Sequence, residues 1–154
     1  MTIQFGSLTD RKPPYKFSTV TRVAFSDTDA QGIVYYGRYL PYCDQARVEY
    51  HRHLDLQEKR NAMAFAMRAQ TTEYHAPARF DDLIEVFVRA SRIGRTSVAY
   101  EFSAYLVGSD ELMMKATQTT VHVSHEGPRR AIPVPEALRD YLAAFEGGDL
   151  ELAQ

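Results

Sequence analysis

The sequence predicts an α+β domain in which one antiparallel sheet of about five strands covers a single long helix. Three observations predict it. One amphipathic stripe of helical spacing follows a strand-like segment near the N-terminus. Four further segments then alternate apolar and polar residues with period two. The connections between those segments are short and rich in turn formers, as neighbouring antiparallel strands require.

The elements follow in order. Residues 1–14 mix polar side chains with Pro13 and Pro14 and show no periodicity, which predicts a flexible arm. Phe17, Thr19, Thr21, Val23 and Phe25 recur at every second position and define one face of a strand. Ser26 to Gly32 reads SDTDAQG, a cluster of turn formers that breaks the rhythm. Tyr39, Cys43, Ala46, Tyr50 and Leu54 then form the stripe of a helix buried along one side, with Arg38, Asp44, Arg47 and Arg52 expected to stay wet. Pro41 has no N–H to donate, so that helix must begin within a few residues before it.

Four long strands are predicted next, around Met63 to Ala69, Ile84 to Ala90, Val98 to Leu106 and Leu112 to Val123. HAPARFDD at 75–82, Ile93-Gly94-Arg95 and Gly108-Ser109-Asp110 supply the turn chemistry between them. A proline-marked entry leads to a short final helix with Leu138, Leu142 and Phe145 on one face. The expected organisation is an arm over 1–14, one domain over 15–146 and a frayed tail over 147–154.

Composition narrows the function classes. Of the 154 residues, 45% are hydrophobic and 25% charged, as in an ordinary globular domain, and the formal charge of -2 advertises neither nucleic acid nor an anionic membrane. A lone cysteine, Cys43, rules out an internal disulfide framework and fits the cytoplasm. No apolar run approaches the roughly 20 residues of a membrane span.

The chain contains no G-x-S-x-G, Walker loop, G-x-G-x-x-G or H-E-x-x-H. His51 and His53 do not share a helix face, and His122 and His125 point oppositely from a strand, so no metal site is expected. Cys43 lies on the apolar helical stripe and is expected to be an inert core thiol.

The turn holding Asp27 and Asp29 is the segment that can carry chemistry. Two carboxylates there precede the start of a buried helix, whose first N–H groups lack intrahelical partners and can hold an oxyanion. A nearby carboxylate can attack a polarised carbonyl or deprotonate water. Gly32 leaves room for a substrate to approach the backbone. Spacing alone favours two aspartates that only shape the turn, since Asp is common in such positions.

The run FSDTDAQGIVYYGRYLPYCDQARVEY resembles the D-x-D-x-x-G-x-V-x-[YFH] signature of the 4-hydroxybenzoyl-CoA thioesterase family of hotdog-fold enzymes. YHAPARFDDLIEV at 74–86 is similar to its acyl-CoA thioesterase branch, including the one associated with the Tol-Pal system, and the resemblance spans roughly 17–135. It implies a hotdog fold, a thioester hydrolase of small aromatic or short-chain acyl-CoA, and a homodimer or homotetramer with the site between subunits. It also implies Asp29 as nucleophile or general base, with Asp27 in support and the amides of Tyr36 and Gly37 facing the thioester oxygen. Arg95, and secondarily Arg92, would meet the CoA phosphates, and no metal or redox cofactor is called for.

The Tol-Pal branch carries a tyrosine four residues before the catalytic aspartate and a histidine seven after it, where this chain has Phe25 and Tyr36. Asp29 is therefore expected to work without an imidazole. Two alternatives accompany this reading. One is a hotdog hydratase or dehydratase on acyl thioesters, disfavoured because no histidine lies within 25–37. The other is a noncatalytic acyl-CoA binding module.

Overall fold

The computed structural model describes residues 5–56 and 63–153. Among these residues two α-helices and seven strands follow in order: β1 (Gly6–Leu8), β2 (Phe17–Arg22), α1 (Tyr39–His53), β3 (Ala64–Tyr74), β4 (Leu83–Ile93), β5 (Ser97–Leu106), β6 (Leu112–Val123), α2 (Glu136–Glu146) and β7 (Glu151–Leu152). The sheet runs in the order β1-β2-β4-β5-β6-β3, every neighbouring pair antiparallel, and β7 joins the far end of β4 in parallel. Five long strands against one long helix give the hotdog architecture that the sequence predicts; β1 and β7 are short additions to it.

The helix forms where its apolar spacing demands. Tyr39, Cys43, Ala46 and Tyr50 all lie in the core, and Leu54 packs against its margin. Pro41 falls in the first turn, where a missing N–H costs no hydrogen bond. From β4 the helix meets Ile84, Val86, Val88 and Ala90, each removed from water. Burial of a side chain of this size contributes about 1.5–3 kcal/mol. Cys43 is completely buried, and that burial pushes its thiol up to about 12, so it is core and no nucleophile.

Four expectations are corrected. Residues 5–14 pack down: β1 pairs with β2, Arg11 forms an ion pair with Glu85 of β4, and the Lys12 ammonium sits 4.4 Å from the Tyr105 ring centroid. Within residues 147–153, a 3-10 turn at Gly147–Asp149 leads into β7, and the Ala153 N–H donates to the Ile93 carbonyl at 2.9 Å. Arg47 is not wet, its side chain being only 12% exposed; the guanidinium donates to Gln118 Oε1 and lies 6.0 Å from the Tyr100 ring centroid. Phe25 leaves the strand face, because β2 ends at Arg22 and the chain enters a 3-10 turn at Phe25–Asp27.

None of the described helices is long and apolar enough to cross a membrane. Two connections meet at one end of the sheet. The edge strand β3 delivers the chain into the 75–82 connection, and the loop between β2 and α1 lies against that connection.

Candidate active site

The loop from Ala24 to Arg38 is built by its own hydrogen bonds. Asp27, only 5% exposed, accepts at Oδ2 from the Ala24 N–H at 2.9 Å and from the Tyr42 hydroxyl at 2.7 Å. Its Oδ1 accepts from Arg38 Nε at 3.0 Å, and its carbonyl accepts from the Tyr35 N–H at 2.9 Å. One carboxylate thus ties the 3-10 turn, the run-up to α1 and α1 itself together. Burial pushes the Asp27 carboxyl up, but Tyr42, the Ala24 amide and Arg38 together outweigh it and hold the carboxyl below its ordinary range. Burial and Asp27 drive the Tyr42 hydroxyl the other way, well above that of a free tyrosine.

Two residues later the chain makes a tight reversal. The Asp29 N–H donates to the Ile33 carbonyl at 2.9 Å and the Gly32 N–H to the Asp29 carbonyl at 3.0 Å, while Thr28 bridges to Val34. Gly32 sits at φ +78°, so the glycine is there because the reversal needs a left-handed residue. Asp29 Oδ1 accepts from the Gln31 N–H at 2.8 Å, fixing the carboxylate, and among the described residues nothing bonds Oδ2. One oxygen of the carboxylate is thus engaged by the loop itself and the other by no described residue.

The carboxylate faces a cavity of about 500 Å³. Asp29, Ile33, Tyr35 and Tyr36 of the loop line it together with Tyr39 of α1, Tyr74 at the end of β3, and His75 and Pro77 of the 75–82 connection. Loop and connection are held in register by an antiparallel bridge between Ile33 and Arg79 and by the Val34 N–H donating to the Ala78 carbonyl at 2.8 Å. The Tyr74 hydroxyl donates to the Tyr36 carbonyl at 3.1 Å, and the Tyr39 hydroxyl accepts from the Ala78 N–H at 3.2 Å. Tyr36 and Gly37 begin the 3-10 turn at Tyr36–Arg38 that runs straight into α1, the position in which backbone N–H groups have no carbonyl one turn earlier. This arrangement can hold a carbonyl against helix-start amides and present a carboxylate to it.

The structure puts Asp29 and Tyr36 on the cavity lining, with Gly32 inside the reversal that follows Asp29 and Gly37 next along the chain from Tyr36, and it sets three other candidates apart. Asp27 is used up in the clamp beneath the loop. Arg92 is exposed at the far end of β4, 3.5 Å from the Glu151 carboxylate, and Arg95 is exposed in the β4–β5 turn. The loop meets the Leu83 end of β4, where Val23 bonds Asp82, so both arginines stand a strand length away, about 30 Å at roughly 3.3 Å per residue.

One cavity residue carries no mark in the sequence. His75 belongs to the 75–82 connection, more than forty positions beyond Asp29, and puts an imidazole in a cavity expected to lack one. The bridge from Ile33 to Arg79 is a long-range contact that no local pattern announces. His51 and His122 are spent elsewhere, on the Tyr100 hydroxyl at 2.8 Å and the Pro133 carbonyl at 2.8 Å.

Comparison with known proteins bears on this geometry. The sequence model of the thioesterase-like superfamily matches residues 23–142. The acyl-CoA thioester hydrolase YbgC of Escherichia coli is 32% identical over 108 residues, covering 68% of this chain and 79% of that protein. The 1,4-dihydroxy-2-naphthoyl-CoA hydrolase of Synechococcus elongatus is 28% identical over 134 residues, covering 83% and 94%. Among solved structures, a 1,4-dihydroxy-2-naphthoyl-CoA thioesterase from Synechocystis superposes with a TM-score of 0.75 at 19% identity, over 82% of this chain and 94% of that one, a likeness of fold. The chain belongs to the thioesterase-like superfamily, and the candidate site lies within the matched region.

Proposed function

We propose that this thioester hydrolase cleaves acyl-CoA thioesters of small aromatic or short-chain acids, with Asp29 as its catalytic carboxylate. The observation that carries the reading is the Asp29 carboxylate, pinned at Oδ1 and open at Oδ2, on the wall of a cavity that also contains the start of the central helix. The names of the relatives, an acyl-CoA thioester hydrolase and a naphthoyl-CoA hydrolase, support the choice of substrate class.

In the proposed reaction the thioester carbonyl lies against the amides of Tyr36 and Gly37, which stabilise the negative charge that develops on its oxygen. Asp29 then attacks the carbonyl carbon or takes a proton from water, and the C–S bond breaks to release CoA. The acyl group occupies the space among Tyr35, Tyr36, Tyr39 and Tyr74, which suits an aromatic ring or a short chain. Water and the chain's own side chains suffice, with no metal or redox cofactor in the scheme.

The active assembly in this reading is a homodimer or homotetramer. β3 is an eleven-residue edge strand paired only with β6 among the described residues, with Met67 and Tyr74 about half exposed, and it ends at the cavity. Arg92 and Arg95, distant from Asp29 in their own chain, meet CoA phosphates only at a site shared with another copy. The proposed setting is the cytoplasm, in keeping with a single free thiol.

Release of CoA from benzoyl, phenylacetyl, acetyl and butyryl thioesters, by the wild type and by Asp29→Asn, tests the proposal. Hydrolysis by the wild type that the variant loses is the expected result; an Asp29→Asn enzyme as fast as the wild type would remove Asp29 from the mechanism. His75 in the same cavity lining as Asp29 gives the hydratase reading a histidine and a carboxylate after all. That reading gains if the protein changes the unsaturation of an enoyl-CoA while releasing no CoA.

A further inference from the structure

The loop of Asp29 and the 75–82 connection line one cavity together, and each contributes one side chain able to transfer a proton without help from a metal: a carboxylate and an imidazole. The His75 backbone is fixed, its N–H donating to the Met113 carbonyl at 2.9 Å. Its ring is exposed, and among the described residues no hydrogen bond or ring contact engages it. An imidazole that holds no structural bond, on a backbone that is held, in the same cavity lining as a catalytic carboxylate, is placed to serve the substrate.

We propose that His75 is a second catalytic residue, the acid that protonates the sulfur of the departing CoA. The inference rests on the thioesterase reading of the same cavity. As the C–S bond breaks, its electron pair passes to sulfur, and the N–H proton of the imidazolium passes to that pair, leaving neutral imidazole and the free thiol. If Asp29 has taken its proton from water, the imidazole recovers a proton from the Asp29 carboxyl through solvent. If Asp29 has formed an anhydride, the imidazole takes the proton of the water that opens it. Either way one thioester and one water become one carboxylate, one thiol and one proton in solution.

The other titratable groups that face His75 do not compete for this role. Asp29 and Tyr36 come from the loop, Tyr35 from beside them, Tyr39 from α1 and Tyr74 from the end of β3; Glu73, next in line, lies opposite Lys115 of β6 in the sheet register and outside the cavity lining. Burial raises the Tyr39 hydroxyl, and the neighbouring Tyr36 hydroxyl raises that of Tyr35, which keeps both protonated at neutral pH. The step also fits the walls: the carbonyl lies at the Tyr36 end of the loop, and Tyr74, adjacent to His75, bonds the Tyr36 carbonyl.

The test compares leaving groups. Benzoyl-CoA and acetyl-CoA expel an alkyl thiolate, whereas S-phenyl thiobenzoate and S-phenyl thioacetate expel a thiophenolate, a far weaker base that needs no proton to leave. His75→Gln keeps the polarity and loses the proton transfer. Relative to the wild type it should lose on the order of 10²-fold in kcat on the CoA esters and less than roughly threefold on the phenyl esters.

Equal losses on the two ester types would overturn the role of His75 and leave Asp29 untouched. Asp29→Asn, run in parallel, separates the two claims, because it should lose both ester types alike. A wild-type protein that cleaves none of the four esters removes the inference and the thioesterase reading together.

Discussion

Asp27 and Asp29 stand two residues apart on one loop, and the fold treats them in opposite ways. Asp27 is buried, accepts hydrogen bonds from an amide, a tyrosine and an arginine, and leaves no room for a ligand. Asp29 accepts one short-range bond and leaves its second oxygen facing a cavity. Satisfying a buried carboxylate stabilises a structure, whereas leaving a fixed one partly unsatisfied at a surface supplies reactivity. The loop needs both: the first aspartate ties it to α1, and the second, held by the Gln31 N–H, is left at the cavity. Substitutions at the pair therefore separate function from stability.

The largest effect belongs to Asp29. Asp29→Asn should lower kcat by on the order of 10³-fold while changing the unfolding free energy by less than about 0.5 kcal/mol, as expected of a surface position; steady-state CoA release and urea unfolding read the two quantities. Asp27→Ala should do the reverse in kind. Leaving the Ala24 amide and the Tyr42 hydroxyl without an acceptor should cost about 2–3 kcal/mol in urea unfolding, and residual activity should follow the folded fraction.

A smaller effect is expected from pH. The folded carboxyl of Asp27 lies below its unfolded value, so between the two the unfolded chain binds more protons and stability rises with pH. The contribution is complete above about pH 4, the reference value of an unfolded aspartate, and is lost as pH falls through the lower, folded value. Tyr42→Phe should weaken that acid dependence and cost about 1 kcal/mol at neutral pH, seen as an earlier midpoint in acid titration followed by circular dichroism.

Tyr74→Phe removes only the bond to the Tyr36 carbonyl, and should reduce kcat/KM about fivefold, the equivalent of about 1 kcal/mol, with little change in stability. The smallest effect is expected at Arg95. Arg95→Ala should raise KM for acyl-CoA by roughly threefold, as loss of one exposed charge pair does, while kcat stays put.

The contrast between the aspartates also marks how far the sequence alone can be read. The strands are legible because Ile84, Val86, Val88 and Ala90 carry a period that only a strand can bury on one face, and Tyr39, Cys43, Ala46 and Tyr50 do the same for the helix. Arg47 is illegible, since a charged residue beside the apolar stripe gives no sign that Gln118 and the Tyr100 ring will receive it. Spacing marks the loop as a turn before a helix, and resemblance singles out Asp29 within it. That Tyr42 and Arg38 claim Asp27 depends on side chains folding back from the helix.

His75 is the plainest case of a long-range effect. Nothing in its neighbourhood within the chain distinguishes it from a polar loop residue, and its place in the cavity follows from the pairing of two segments remote in sequence. The two ends of the chain are illegible for a related reason. The short strands β1 and β7 have no pattern of their own and form because β2 and β4 offer backbone groups to pair with.

Single-turnover release of CoA by Asp29→Asn and Asp27→Asn, each at matched concentrations of folded protein, tests the central distinction most directly. Asp29→Asn should be folded and inactive, and Asp27→Asn less stable yet active in proportion to its folded fraction. A folded Asp29→Asn protein that releases CoA at the wild-type rate would contradict the assignment of the chemistry to Asp29.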